Sequence, residues 1–425
     1  MRVSGSGWMK RLALLVLLAG MAAALVAWLN VRGEAPVNEA VPAAASAPEL
    51  VQRGAYLARI GNCAACHTAR GGAAFAGGKG IETPFGTVFA SNITPDAQTG
   101  VGRWSADHFW RAMHHGRSRD GRLLYPAFPY PDYTQVTRED SDALYAFLRA
   151  QPAVKQPNRA HDLRFPYDSQ VSLAVWRALF FAPGEFAPQP AKSAEWNRGA
   201  YLVRGLGHCQ ACHAPRNAFG ATDDKLDLGG GLIPMQNWYA PSLASPQEAG
   251  VQTWSADEVV RLLKHGHTAK GATMGPMAEV VFGSTQHLDD ADLRAMATFL
   301  QDLPQHSPVQ PAPARVASDV LELGARLYKA QCAECHGAQG EGGGSAYPPL
   351  AGHRTVTMAS SANLVKVILN GGFPPTTAGN PRPHGMPPFG QSLSDAEIAA
   401  LASFVRTSWG NGAPGVSALD VNRVR

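Results

Sequence analysis

The chain has 425 residues, enough for about three domains of ordinary size, with 45% hydrophobic but only 16% charged residues, 44 glycines and 32 prolines. That balance describes small, loop-rich domains. A net charge of +4 with no run of Lys or Arg gives nucleic acid no electrostatic footprint, so a nucleic-acid-binding protein is excluded.

After Lys10 and Arg11 comes an uncharged, mostly apolar run from Leu12 to Leu29, followed by Asn30 and Arg32. Its 18 residues sit at the lower limit for crossing a bilayer as a helix. The basic residues on its N-terminal side keep that end in the cytoplasm and put the remainder of the chain in the periplasm. A cleaved signal peptide is the competing reading, with Ala22-Ala23-Ala24 as the small-residue site. That cut would leave the apolar Leu25 to Leu29 as a new N-terminus, so a retained anchor is favoured. Anchor or signal occupies 1–33, and 34–48 reads as a linker without a helical stripe.

One five-residue phrase then occurs three times: Cys63-Ala-Ala-Cys66-His67, Cys209-Gln-Ala-Cys212-His213 and Cys332-Ala-Glu-Cys335-His336. Each reads C-x-x-C-H, the signature of a covalently attached c-type haem. Two thiols three residues apart on a helical turn reach the two vinyl groups of one porphyrin, and the histidine is placed to ligate the iron. The motifs use all six cysteines, leaving none for a structural disulfide. A zinc site or a redox dithiol would not set a histidine directly after every pair. The expected cofactors are three haem c groups, bonded to Cys63, Cys66, Cys209, Cys212, Cys332 and Cys335, with His67, His213 and His336 as axial ligands. Such haems are joined to chains exported to a bacterial periplasm or its equivalent.

Each motif is delivered by a helix: Arg53-Gly-Ala-Tyr56, Arg198-Gly-Ala-Tyr201 and Gly324-Ala-Arg-Leu-Tyr328 precede it. Each repeat closes with an amphipathic helix opened by an N-cap residue: Thr137 before Leu144 and Phe147, Asp289 before Met296 and Phe299, Ser394 before Leu401 and Phe404. First and last helices packed on one another around a haem is the class I cytochrome c arrangement. The expected fold is therefore all-α, three such domains in tandem behind an N-terminal transmembrane helix. The domains span 49–152, 194–304 and 317–410. Between the first two lies a proline-rich connecting segment, 153–193, whose aromatic residues (Phe165, Tyr167, Trp176, Phe180, Phe181, Phe186) are expected to pack on domains one and two or on a partner. A linker covers 305–316, and the tail 411–425 shows no periodicity and reads as mobile.

The sixth iron ligand separates electron shuttling from chemistry, and a methionine thioether there raises the potential. Met386, in His384-Gly-Met-Pro-Pro-Phe389, precedes the third closing helix and is hard to explain as core filling. In the second repeat Met277 follows a proline and lies nearer the closing helix than Met274, so it is preferred; Met296 is core. The first repeat has Tyr125-Pro-Ala-Phe128-Pro in the ligand region, and phenylalanine cannot ligate iron. Met113 aligns with the apolar Leu263 and Ile368 and reads as core. His115 aligns with His265 and Asn370 and reads as a polar helix end. The first haem therefore has an unusual ligand or an open site. Pro215, and the loop Tyr347-Pro348-Pro349-Leu350, could supply carbonyls that fix the tautomer of a ligand histidine. Thr83–Thr87 with Ser91-Asn92-Ile-Thr94, and Trp238-Tyr-Ala-Pro241-Ser242, could wall a haem or bond its propionates, or be plain loops.

With its three haem motifs, the Arg-Gly-Ala-Tyr lead-ins and Asn92-Ile-Thr-Pro-Asp, the chain resembles the trihaem cytochrome c subunits of membrane-bound bacterial dehydrogenases, over roughly residues 49 to 408. That family includes the cytochrome subunits of quinoprotein alcohol dehydrogenase, of flavin-dependent gluconate and sorbitol dehydrogenases, and of molybdenum-dependent aldehyde or nicotinate dehydrogenases. The resemblance implies a catalytic partner that oxidises substrate in the periplasm and passes electrons through the haems to ubiquinone or the respiratory chain. The alcohol dehydrogenase branch has Tyr-Pro-Ala-Met-Pro-Tyr where this chain has Tyr125-Pro-Ala-Phe128-Pro-Tyr130. The phenylalanine version is more similar to the molybdenum branch, which tilts the expected partner toward a molybdenum and iron–sulfur aldehyde or N-heterocycle dehydrogenase, with a quinoprotein or flavoprotein as the other choices. A non-catalytic electron-transfer subunit at the inner membrane is the favoured function. The alternative is a multihaem peroxidase working at an open first haem.

Overall fold

The computed structural model describes residues 5–41, 46–222, 226–306, 315–344 and 346–425. The linkers read at 34–48 and 305–316 fall in part on 42–45 and 307–314, outside the described residues. The chain divides into two compact units, Met1–Gly54 with Ala69–Phe186, and Ala55–Thr68 with Ala187–Arg425. These units do not follow the repeats one for one, because the first haem motif counts with the second unit.

One contact recurs in every repeat and explains the glycine in each lead-in helix. A Cβ on Gly54 would stand 1.9 Å from the Ala143 carbonyl oxygen, one on Gly199 1.9 Å from that of Ala295, and one on Gly324 2.3 Å from that of Ala400. The next neighbours are Phe147, Phe299 and Phe404, at 2.7, 2.9 and 2.6 Å. The lead-in helices (Pro48–Ile60, Ala194–Tyr201 and Ser318–Gln331) thus lie backbone to backbone on the closing helices Arg138–Arg149, Asp290–Gln301 and Asp395–Thr407. No larger side chain permits so close an approach. Thr137, Asp289 and Ser394 cap those closing helices as expected, accepting from the amides of Asp140, Asp292 and Glu397. In the first two repeats the crossing is also clamped by charge, Arg53 on Asp140 and Arg198 on Asp292.

A third helix completes each repeat: Ala106–His115, Ala256–His265 and Ala362–Asn370. Each ends at a glycine with positive φ, Gly116 (56°), Gly266 (76°) and Gly371 (60°). Met113, Leu263 and Ile368 are buried on these helices, and Met296 is buried on the second closing helix. The helices carry the cores, but the all-α expectation omitted three small antiparallel pieces. Gly80–Thr83, Gly86–Phe89 and Asp162–Leu163 form one; Gly231–Ile233 with Trp238–Ala240, and His267–Thr268 with Gly271–Ala272, are the others. Their strands are two to four residues long, too short to leave an alternating pattern.

In the first unit, helix Gly5–Val31 has 27 residues, roughly 40 Å at 1.5 Å per residue. Among the described residues it alone is long and apolar enough to cross a membrane. Its last turn is tied to helix Gln170–Phe180 of the connecting segment. Asn30 donates to the Ala174 carbonyl at 2.9 Å and accepts from Arg177 Nε at 2.8 Å, while Arg32 donates to the Phe181 carbonyl at 2.9 Å. Arg117 bonds both the Asn30 carbonyl and Glu34. The aromatic residues of the connecting segment therefore divide. Phe181 is buried edge-on against Tyr130, whereas Phe165 is 84% exposed.

One expectation is corrected. The tail is not free of structure: Ser417 and Asp420 form a capping box for helix Ala418–Val424, and Val421 is buried in the third repeat's core. Seven residues with one buried position are too few to show a 3.6-residue period. His115 does end its helix, as read, and it is buried there, edge-on to His114 at 4.7 Å, where burial pushes its imidazole down to about 4.

Candidate functional site

Each motif forms a short helical turn: Cys63–His67, Gln210–His213 with Cys209 as its cap, and Ala333–His336 with Cys332 as its cap. The residue before Cys63 and the residue before Cys209 both adopt left-handed backbone, Asn62 with φ 48° and His208 with φ 39°. In every motif the first cysteine is the less exposed (half-buried Cys63 and Cys209, buried Cys332) and the second is exposed, and among the described residues no disulfide forms. Burial pushes the Cys63 thiol up to about 12 and the Cys332 thiol up to about 11. These two sulfurs stay protonated at neutral pH until something covalent replaces the proton.

His213 and His336 each have a defined tautomer. His213 Nδ1 lies 2.7 Å from the Pro241 carbonyl oxygen, and His336 Nδ1 lies 3.0 Å from that of Pro348. A carbonyl only accepts, so each Nδ1 carries the proton and each Nε2 keeps its lone pair for a metal. Burial holds His213 below the usual histidine range, which keeps the ring neutral. Pro348 lies in the proline loop singled out from sequence. In the second repeat the carbonyl belongs to Pro241 and not to Pro215. Its loop comes 28 residues after His213 instead of 12 after His336, and that spacing hid the equivalence.

The candidate methionines stand at the edge of a short helix in the second repeat and on a loop in the third. Met386 exchanges two backbone hydrogen bonds with Gly372, at 2.8 and 3.0 Å, and packs on the cluster that contains Cys332, Tyr328, Ile368 and Phe389. In the second repeat Met274 caps helix Gly275–Gly283 and Met277 lies in its first turn. Gly275 has φ 54°, and a Cβ there would meet the Trp238 ring at 2.6 Å. That contact seats the methionine loop on the hairpin that leads to Pro241. Met274 Cε lies 3.3 Å from where a Gly372 Cβ would stand, so this side chain reaches toward the third repeat. In the first repeat Phe128 packs edge-on against Tyr133 at 5.4 Å. Asn92 is no propionate donor, since its Nδ2 bonds the Val154 carbonyl and its Oδ1 accepts from Thr94.

The second unit brings the motifs into succession. Leu206, three residues before Cys209, would touch a Cβ on Gly61, two residues before Cys63. Ser284 Oγ donates to the Ile60 carbonyl at 3.0 Å, and Tyr56 bonds Asp292 at 2.9 Å. Toward the third repeat, Asn363 exchanges hydrogen bonds with Tyr239 at 2.9 and 2.7 Å, and Arg354 donates to the Gly250 carbonyl at 2.7 Å. None of these links joins neighbours in sequence, so no local motif announces them. In the third repeat the buried Cys332, the exposed Cys335, the oriented His336 and Met386 packed on the Cys332 cluster are a donor set that fits a covalently held haem.

The family model described as cytochrome C oxidase, cbb3-type, subunit III matches residues 194–300 and 319–405. The cytochrome c subunit of the quinone alcohol dehydrogenase of Gluconacetobacter polyoxogenes is 42% identical over 88% of this chain and 84% of its own length. The chain belongs to the family of dehydrogenase cytochrome c subunits. Other similar members are the gluconate 2-dehydrogenase cytochrome c subunit of Pantoea cypripedii, 40% identical over 88% of this chain and 89% of that protein, and a nicotinate dehydrogenase subunit of Pseudomonas putida. The last is 42% identical over 84% of this chain, which spans only 30% of that larger protein. As a cytochrome c subunit of this family the chain binds haem c and works in electron transfer.

Proposed function

We propose that this cytochrome carries three haem c groups and relays electrons from a catalytic dehydrogenase subunit to ubiquinone or the respiratory chain. The observation that carries the reading is the repeated frame, in which each C-x-x-C-H turn hangs from a helix locked by glycine onto a closing helix. Cys63 and Cys66, Cys209 and Cys212, Cys332 and Cys335 would hold the porphyrins, with His67, His213 and His336 on one axial side. Met277 and Met386 would take the other side of the second and third irons. The haem supplies a one-electron couple, and the protein sets its potential and placement. His213 and His336 are oriented by their carbonyl partners, and Met386 packs on the cluster that contains Cys332. The contacts from Ile60 to Ser284 and from Tyr239 to Asn363 support a relay with the second haem in the middle.

Helix Gly5–Val31 would anchor the relay in the inner membrane with its haem domains in the periplasm. Phe128 favours a molybdenum and iron–sulfur partner acting on aldehydes or N-heterocycles over a quinoprotein or flavoprotein. The same phenylalanine is the specific ground for a second reading, a peroxidase at an open first haem. Pyridine haemochrome analysis of the purified chain is expected to give three haems. Electron paramagnetic resonance separates the two functions: a high-spin ferric signal that responds to peroxide would replace the relay by the peroxidase. Pull-down from native membranes, with assays for molybdenum, pyrroloquinoline quinone and flavin, identifies the partner.

A further inference from the structure

The loop after the third motif holds a buried donor with nothing to donate to. His353 caps helix Arg354–Thr357, its Nδ1 accepting from the Thr355 amide at 3.2 Å. Burial holds the ring below the usual histidine range, so it is neutral and its one proton sits on Nε2. Nε2 is fully buried and has no hydrogen-bond partner. Leaving a buried N–H unpaired is costly, and native proteins rarely tolerate it.

Its surroundings point to the missing partner. Five residues earlier, Pro348 fixes the tautomer of His336. Leu350 and Val356, on either side of His353 in the chain, both pack in the cluster that contains Cys332 and Met386. Nearby acceptors of this loop are already engaged: the Val356 and Met358 carbonyls, for example, accept from Arg406. His336 lies near enough to push the His353 ring further down, so the orphan proton belongs to the surroundings of the third motif. A haem brings two carboxylates to its pocket rim, and a carboxylate is the strongest common acceptor for an N–H.

We infer that His353 Nε2–H donates a hydrogen bond to a propionate of the third haem, making His353 a positioning residue for that haem. The inference rests on the reading that Cys332 and Cys335 hold a haem. A donor on the propionate disperses its negative charge, so losing it stabilises the ferric form and lowers the midpoint potential.

The ring's two nitrogens can be tested apart. Glutamine reaches the Nε2 position and keeps the donor but loses the cap; asparagine reaches the Nδ1 position and keeps the cap but loses the donor. The full-length holoprotein would be prepared as wild type, His353→Gln and His353→Asn, and each haem titrated spectroelectrochemically. Met386→His identifies the third haem as the one whose potential it lowers. The expected result is a lower third-haem midpoint and a shifted propionate band by resonance Raman in His353→Asn, with both near wild type in His353→Gln. Equal midpoints in all three proteins, or a shift in the glutamine variant alone, would overturn the inference. Haemochrome counts decide the underlying reading separately: a wild-type count of two with Cys332 and Cys335 unmodified would remove the third haem itself.

Discussion

Gly199→Ala is a substitution for which the structure reverses the ordinary expectation. Inside a helix, replacing glycine by alanine stabilises by about 0.5–1 kcal/mol. Here the new Cβ would stand 1.9 Å from the Ala295 carbonyl oxygen and 2.9 Å from Phe299 Cβ. A comfortable carbon–oxygen contact is about 3.3 Å, so the lead-in and closing helices must part by about 1.4 Å. Both groups met are close to backbone, and neither can swing aside. Overpacking a tight contact costs about 1–3 kcal/mol, and this one belongs at the upper end. Subtracting the helix gain leaves a net loss of about 2 kcal/mol, or roughly thirtyfold in a local opening constant at 1.4 kcal/mol per decade. Amide hydrogen exchange suits a multidomain chain, because it reads helices Ala194–Tyr201 and Asp290–Gln301 separately from the rest. Their exchange should accelerate by one to two decades, and the Arg198–Asp292 clamp should loosen with them. Unchanged or slower exchange would refute the claim that backbone contact requires this glycine. Gly54→Ala and Gly324→Ala should each act within their own repeat.

Acid should weaken the first unit through His115. Its folded value lies near 4, below the ordinary 6.5, so its contribution is complete above pH 6.5 and is lost as the pH falls toward 4; urea midpoints across that range should fall, with a flatter slope in His115→Phe. Arg177→Met leaves Asn30 Oδ1 without its buried partner and should cost about 1–3 kcal/mol, measured as faster limited proteolysis around helix Gln170–Phe180 in detergent. Met386→Ala should lower the midpoint of one haem while the haem count is unchanged, and a potential that stays put would remove Met386 as an iron ligand.

The chemistry of this protein is local in sequence, and so it was legible there. A porphyrin needs two thiols and an imidazole within one helical turn, and Cys63–His67, Cys209–His213 and Cys332–His336 satisfy that need inside five residues each. The caps Thr137, Asp289 and Ser394 were visible for the same reason, since a cap bonds an amide three residues on. The features that tertiary structure decided depend on residues far apart. Pro241 meets His213 across 28 residues, and Tyr56 meets Asp292 across 236. The close approach at Gly54, Gly199 and Gly324 gives each lead-in glycine a reason that no helical pattern contains. His353 makes the same distinction within one side chain. Its sequence shows a histidine in a proline loop, but only burial of Nε2, with Nδ1 already bonded to Thr355, turns that ring into a donor without a protein partner.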